Sequence, residues 1–215
     1  MEEYCKIISP YHGRVQFKLT PSQKYQLHLI QKCKILVVKK ERQIGYTTLM
    51  CAYFLWYAIF HSDKVLFFGS YKLIDSRCIT DKLIDIHESL PSFLKMGIDN
   101  MYGKKGIRFE NGSTIMSEAI SQDTVKGIAF SLIYLDEAAS YNDSSLNGLW
   151  ANVMPTICGS RGKMIMASSV LNGAGSFNSI YRTYPEIKAG ESDEDLVMLM
   201  LSGIVEHGSV SVGRV

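Results

Sequence analysis

Two adjacent carboxylates, Asp136 and Glu137, close the apolar run Leu132-Ile133-Tyr134-Leu135. A short continuous apolar run ending in acids reads as a buried strand that delivers both carboxylates to its C-terminal end, where open α/β sheets bind their ligands. At such a place an Asp can hold Mg2+ by way of water, while the following Glu orients or deprotonates an attacking water. The alternative use of the pair is to cap the next helix.

A second segment offers what those carboxylates would act on. Ile35 to Val38 read as a strand that runs into Lys39-Lys40-Glu41-Arg42-Gln43-Ile44-Gly45-Tyr46-Thr47-Thr48 and then into an apolar helix. A strand, a tight turn and a helix start converge unpaired backbone N–H groups and a positive dipole end on one spot, an anion site. Against the phosphate-loop pattern G-x-x-x-x-G-K-[ST], Gly45 holds the second glycine position and Thr47 the Mg2+-ligating hydroxyl. Lys40 stands at the first glycine position and Tyr46 at the lysine position. Taken alone, a glycine and two threonines at a helix start are more often an N-cap. The cations Lys39, Lys40 and Arg42 lie in the loop that would wrap a triphosphate. Loop and acids together make a nucleotide site the reading that accounts for both.

The elements that must position these groups follow from the remaining apolar runs. Val65 to Phe68, Met164 to Ala167 and Leu196 to Leu201 also read as buried parallel strands, being continuous rather than alternating. Helical spacing fills Thr47 to His61, Tyr71 to His87 and Ser144 to Met154. Strand and helix alternate, which predicts an α/β parallel sheet with helices on both faces. Ile107 to Glu110 and Ser113 to Met116 flank Asn111-Gly112, which predicts a two-residue hairpin inserted on that sheet. No repeat or linker divides the chain, so residues 1–215 read as a single domain, with Ser202 to Val215 as a final element, a linker or a frayed end.

Composition sets outer bounds. The 215 residues are 47% hydrophobic and 20% charged, which excludes disorder. A net charge of +2 permits nucleic-acid contact without requiring it. Five cysteines, none in a Cys-x-x-Cys pair, suggest neither zinc nor a disulfide framework and fit a reducing compartment. The longest uncharged apolar run, Leu49 to Phe60, falls short of the about 20 residues that a membrane helix needs. Met1-Glu2-Glu3 lacks the basic start of a signal peptide, so the expected location is the host cell cytoplasm.

With loop and acids in register, the sequence resembles the ATPase domain of terminase large subunits, the DNA-packaging motors of tailed phages. In that family some members carry the loop lysine at the front and a Tyr before the hydroxyl residue, similar to Lys40 and Tyr46, and others an Arg-Gln pair before the glycine, similar to Arg42-Gln43. The resemblance implies a P-loop NTPase fold of the additional-strand, RecA/helicase-like class. It implies ATP and Mg2+ as cofactors, Glu137, Arg42 and Lys40 as catalytic residues, and Thr47 and Asp136 as Mg2+ ligands. Phe17-Lys18-Leu19-Thr20-Pro21-Ser22-Gln23 resembles the adenine-reading Q motif, with Gln23 pairing with the base and Phe17 stacking on it. The same residues also read as a helix start, with Thr20 as N-cap. Met164 to Gly173 resembles the coupling motif, in which Ser168, Ser169 and Asn172 would sense the γ-phosphate; a strand and an Asn-Gly turn are the plainer reading. Val65 to Tyr71 resembles the next helicase-like strand and loop, with no function assigned.

The implied partners are double-stranded DNA, a portal protein, a terminase small subunit and further copies in a ring, expected to be a pentamer on the procapsid. A neighbour's arginine could complete the site, with Arg77, Arg108, Arg161 and Arg182 as candidates. The family's nuclease domain is expected to be absent, and the acidic run Asp193-Glu194-Asp195 reads as a solvated loop rather than a metal site. A helicase-like or remodelling ATPase would use the same motifs. A non-catalytic, nucleotide-gated assembly module would accommodate Tyr46 in the lysine position.

Overall fold

The computed structural model describes residues 2–9, 11–101, 105–121, 125, 127–159, 162–169, 175–183 and 196–201. In chain order the elements are β1 (Lys6–Ser9), β2 (Gly13–Gln16), α1 (Pro21–Lys32), β3 (Ile35–Lys40), α2 (Tyr46–Phe60), β4 (Val65–Ser70), α3 (Leu73–Glu88) and β5 (Ile98–Met101). There follow β6 (Gly106–Phe109), β7 (Thr114–Ala119), β8 (Leu132–Leu135), α4 (Asp143–Gly159), β9 (Lys163–Ser169), α5 (Ser176–Thr183) and β10 (Leu196–Leu201).

The main sheet runs β10-β3-β9-β8-β4-β7-β6-β5. Pairing is parallel from β10 through β7, and β6 and β5 continue it antiparallel. β9 lies between the loop strand β3 and the acid strand β8, which is the additional strand of the class named above.

The central strands read as continuous apolar runs because both of their faces are covered. Leu36, Val38, Leu66, Phe68, Leu132, Tyr134, Ile165 and Ala167 pack with Leu49, Met50, Phe54, Ile79 and Leu83 of α2 and α3. Their neighbours in sequence, Ile35, Val37, Phe67, Ile133, Leu135, Met164 and Met166, pack on the other face with Leu146, Leu149 and Val153 of α4 and Phe177 and Tyr181 of α5. A period of 2 divides each strand between two cores.

Three expectations need correction. The hairpin does not decorate the sheet, because β7 pairs in parallel with β4 from Val65↔Thr114 to Ser70↔Ala119 and so extends the sheet. Nor is its turn a two-residue one. Gly112 alone takes a positive φ, +81°, while its N–H donates to the Phe109 carbonyl and the Phe109 N–H donates to that of Ser113. That is a three-residue loop with glycine at the left-handed position; a two-residue type I′ turn would need positive φ at Asn111 as well. Finally, α4 does not stop at Met154 but continues through Pro155 to Gly159. The proline removes one helical N–H without ending the helix, since Val153 and Ile157 on either side of it are held in the core.

Polar residues extend two strands past their apolar runs. Lys39 and Lys40 remain paired with Ser168 and Ser169. This places the ends of β3 and β9 side by side at the sheet's C-terminal edge. Residues 202–215 and the acidic run Asp193 to Asp195 lie outside the described residues.

Candidate active site

The loop between β3 and α2 turns through Gln43 and Gly45, whose φ angles are +63° and +74°. Gly45 is the N-cap of α2 and supplies no side-chain cap, so the threonines are not capping residues and the first-turn N–H groups remain directed at the cleft. The Thr47 hydroxyl instead donates to Asp136 Oδ2 at 2.7 Å, which joins loop and acid strand across one crevice. The acids do not cap a helix either. Glu137 adopts a left-handed conformation, φ 48° and ψ 45°, ahead of the short 3-10 turn Ala138–Ser140 and makes no cap bond there.

Asp136 is 9% exposed and held on every side. Its Oδ1 accepts from the Tyr134 hydroxyl at 2.7 Å and from the Glu137 N–H at 3.1 Å, and Lys40 Nζ stands 3.9 Å away. Tyr141 steadies the backbone by donating to the carbonyls of Asp136, at 2.8 Å, and Gly69, at 3.1 Å. Burial above all, then the charge of Asp136, pushes the Tyr134 phenol well above its ordinary value, so it stays a donor.

Glu137 faces the cleft from the other side. Lys40 Nζ donates to its Oε1 at 2.6 Å, the Ser169 N–H to its Oε2 at 3.0 Å, and the Ser169 hydroxyl reaches both oxygens at 2.9 Å. Burial alone would raise this carboxyl's pKa; the hydrogen bonds from Lys40 and Ser169 outweigh it and hold the group below its ordinary value. Glu137 is therefore an ionised carboxylate, in the protonation state that a water-orienting base requires.

A cleft of about 480 Å3 opens over these groups, lined among others by Lys40, Arg42, Gln43, Gly45, Thr47, Thr48 and Glu137. Other expected site residues lie elsewhere. Lys39 points to the opposite face of β3, where its Nζ sits 4.1 Å from the ring centroid of Tyr181; alternation along the strand forbids it from joining Lys40. Glu41 is exposed and does not line the cleft. Phe17 is 3% exposed within the α1–α3 core, so no face of its ring is free to stack on a base.

Gln23 is buried, and its helix-start role accounts for its contacts. Its Oε1 accepts from the Thr20 N–H at 3.1 Å and its Nε2 donates to the Ile44 carbonyl at 3.2 Å. The amide closes a capping box and braces the loop from beneath rather than facing the cleft. Tyr46 likewise turns into the core, its ring centroid 5.9 Å from that of Tyr134. Ser168 is buried beneath the 3-10 turn, where its hydroxyl accepts from the Ala139 N–H at 3.1 Å and donates to Glu137 Oε2 at 3.4 Å, so it touches the site carboxylate from below while Ser169 lines the cleft. Asn172 and Arg161 lie outside the described residues.

Sequence reasoning missed Tyr134, Tyr141 and Lys82. Tyr134 could have been found, since two residues before Asp136 on a strand is the same face. Tyr141 and Lys82 reach the site through tertiary packing that no local pattern announces.

A family model described as "Terminase large subunit, T4likevirus-type, N-terminal" matches residues 39–156, more than half of the chain. The chain belongs to the terminase large-subunit family. Solved terminase structures share its fold. The large terminase of bacteriophage HK97 superposes with a TM-score of 0.71 at 13% identity, over 93% of this chain and 42% of that one. The ATPase domain of the Thermus phage P74-26 large terminase gives 0.61 at 14% identity, over 86% and 81% of the two chains. The large terminase of a thermophilic bacteriophage, solved in complex with ADP, gives 0.62 at 16% identity over 86% of this chain and 46% of that one. This terminase-family chain thus carries the P-loop NTPase fold, and it spans less than half the length of the HK97 protein. The matched segment contains both the loop and the acids but not Ser169, which joins the site from outside it, nor Gln23, which braces the loop from beneath.

Proposed function

We propose that the chain is the ATP-hydrolysing motor part of a phage DNA-packaging enzyme. The observation that carries this is the 2.7 Å bond between Thr47 and Asp136, with Glu137 immediately beside it in the same cleft. A hydroxyl and a carboxylate at that separation are hard oxygen donors that suit Mg2+. Two protein donors leave the remaining positions of an octahedral ion to water and substrate phosphates, the usual arrangement for Mg2+ at a nucleotide. Thr47 and Asp136 would hold the ion, which supplies charge neutralisation at the β and γ phosphates.

The chain's own residues do the rest. The N–H groups of Gly45 to Thr48 and the side chain of Arg42 bind the phosphates. Glu137 orients the attacking water and accepts its proton at a carboxylate oxygen. Lys40 and Ser169 fix that carboxylate, and Ser169 links it to β9. Loss of the γ-phosphate would be felt there first, so we assign coupling chiefly to Ser169, whose contacts with Glu137 are shorter than the 3.4 Å bond from Ser168.

Hydrolysis would drive double-stranded DNA into a procapsid, with the portal protein, the terminase small subunit and further copies in a ring, a pentamer, as partners in the host cytoplasm. The ADP and ATP-γ-S complexes of the thermophilic bacteriophage's large terminase support nucleotide as the ligand. The test is Glu137→Gln, assayed for ATP binding and for turnover with and without double-stranded DNA. We expect unchanged binding and a loss of turnover of at least about a hundredfold, the usual scale for removing a general base. Undiminished hydrolysis would remove Glu137 from the role, and binding without any turnover in the wild type would favour a nucleotide-gated assembly module.

A further inference from the structure

The phosphate-loop pattern reserves one position for a lysine, and here Tyr46 holds it with its ring in the core. Lys40 is the nearest substitute, but its ammonium lies 2.6 Å from Glu137 and 3.9 Å from Asp136. Its charge already answers that pair of carboxylates. A triphosphate carries more negative charge than one Mg2+ neutralises, so the cleft gains from a further cation that is not already held in an ion pair.

α3 provides one. Lys82 is half-buried and lines both the cleft of about 480 Å3 and a contiguous recess of about 310 Å3 that shares Thr47 and Glu137 with it. Its Nζ stands 3.4 Å from Oγ1 of Thr48, on the first turn of α2 beside Thr47. That partner is a neutral hydroxyl, and no ion pair engages Lys82 among the described residues. Ile79 and Leu83 of the same helix are buried in the core, which fixes the direction in which Lys82 projects.

Resting on the nucleotide reading above, we infer that Lys82 binds the nucleotide's phosphates from α3, taking the part that the loop lysine would otherwise play. A lysine that merely braces α3 against α2 through Thr48 would affect all ligands alike. A phosphate contact has an effect that grows with phosphate charge.

The experiment is fluorescence titration of wild type, Lys82→Ala and Lys82→Arg with methylanthraniloyl-labelled ATP, ADP and AMP, beside their melting temperatures. We expect Lys82→Ala to weaken ATP binding about tenfold or more, ADP binding less and AMP binding not at all, with Lys82→Arg restoring most of the loss. Should the alanine variant melt early, Lys82→Met keeps the aliphatic stem and carries the same comparison. ATP affinity within about twofold of wild type, or equal losses for ATP and AMP, overturns the inference while leaving the nucleotide reading intact. A wild type that binds none of the three overturns both.

Discussion

Tyr46 and Tyr134 are ring neighbours in one core, 5.9 Å between centroids, yet their hydroxyls have different standing. That of Tyr134 donates to Asp136 at 2.7 Å, whereas that of Tyr46 is buried without a hydrogen-bond partner among the described residues. A hydrogen bond to a charged group contributes about 1.5–3 kcal/mol, and a buried unpaired hydroxyl costs about 1–3 kcal/mol. Tyr134→Phe should therefore lower unfolding free energy by about 2 kcal/mol while Tyr46→Phe leaves it unchanged or higher, as read from urea midpoints at constant slope. Equal losses would show that ring packing rather than the hydroxyl sets both values. Glu137 gives a pH test with a definite sign. Its carboxyl is held below the ordinary value in the folded chain, so its contribution to stability is present above the unfolded value and is lost as pH falls through the lowered one. The stability advantage of wild type over Glu137→Gln should be constant near neutrality and shrink progressively below about pH 4.5; an advantage independent of pH would mean that Lys40 and Ser169 do not favour the charged form. At this scale the acids, Thr47, Gly45 and Lys40 were legible because residue type and order define their chemistry. Phe17 and Lys39 were misplaced because order alone does not say which face of an element a side chain leaves from.

The elements show the same division between what is periodic and what is not. β3, β4, β8 and β9 announced themselves as apolar runs because two cores need both of their faces. β5, reading Ile98-Asp99-Asn100-Met101, is polar and mostly exposed at the sheet's end, where nothing imposes a pattern. The Asn111-Gly112 signal located the hairpin but not its use. Asn111 Nδ2 donates to the carbonyls of Ala58, at 2.8 Å, and Ile59, at 3.3 Å, near the end of α2, and its Oδ1 accepts from the Ser113 N–H at 3.0 Å. The turn thus doubles as a C-terminal cap for the helix whose other end forms the phosphate loop. Asn111→Ala should destabilise by about 1–2 kcal/mol, one or two net hydrogen bonds. Hydrogen exchange should show the loss as weaker protection of the last turn of α2. Protection lost only in the hairpin would refute the capping role.

At the scale of the whole molecule the site is a junction rather than a pocket within one segment. Its groups come from the end of β3, the start of α2, the end of β8 and the end of β9, and the three strands are neighbours in the middle of the sheet. A ligand that bridges all of them binds the folded chain and not the unfolded one, so it must raise global stability by mass action, about 2.7 kcal/mol at one hundred times its dissociation constant. Part of that stabilisation should depend on the metal, because Thr47 and Asp136 offer their oxygens from two different elements. ATP with Mg2+ should therefore raise the melting temperature more than ATP with EDTA. Thr47→Ala should abolish that difference while keeping the EDTA-resistant part, which comes from the loop N–H groups and the cationic side chains. If wild type and Thr47→Ala gain equally from Mg2+, the ion is held somewhere other than between loop and acid strand, and the 2.7 Å bond is only a clasp that holds α2 against β8.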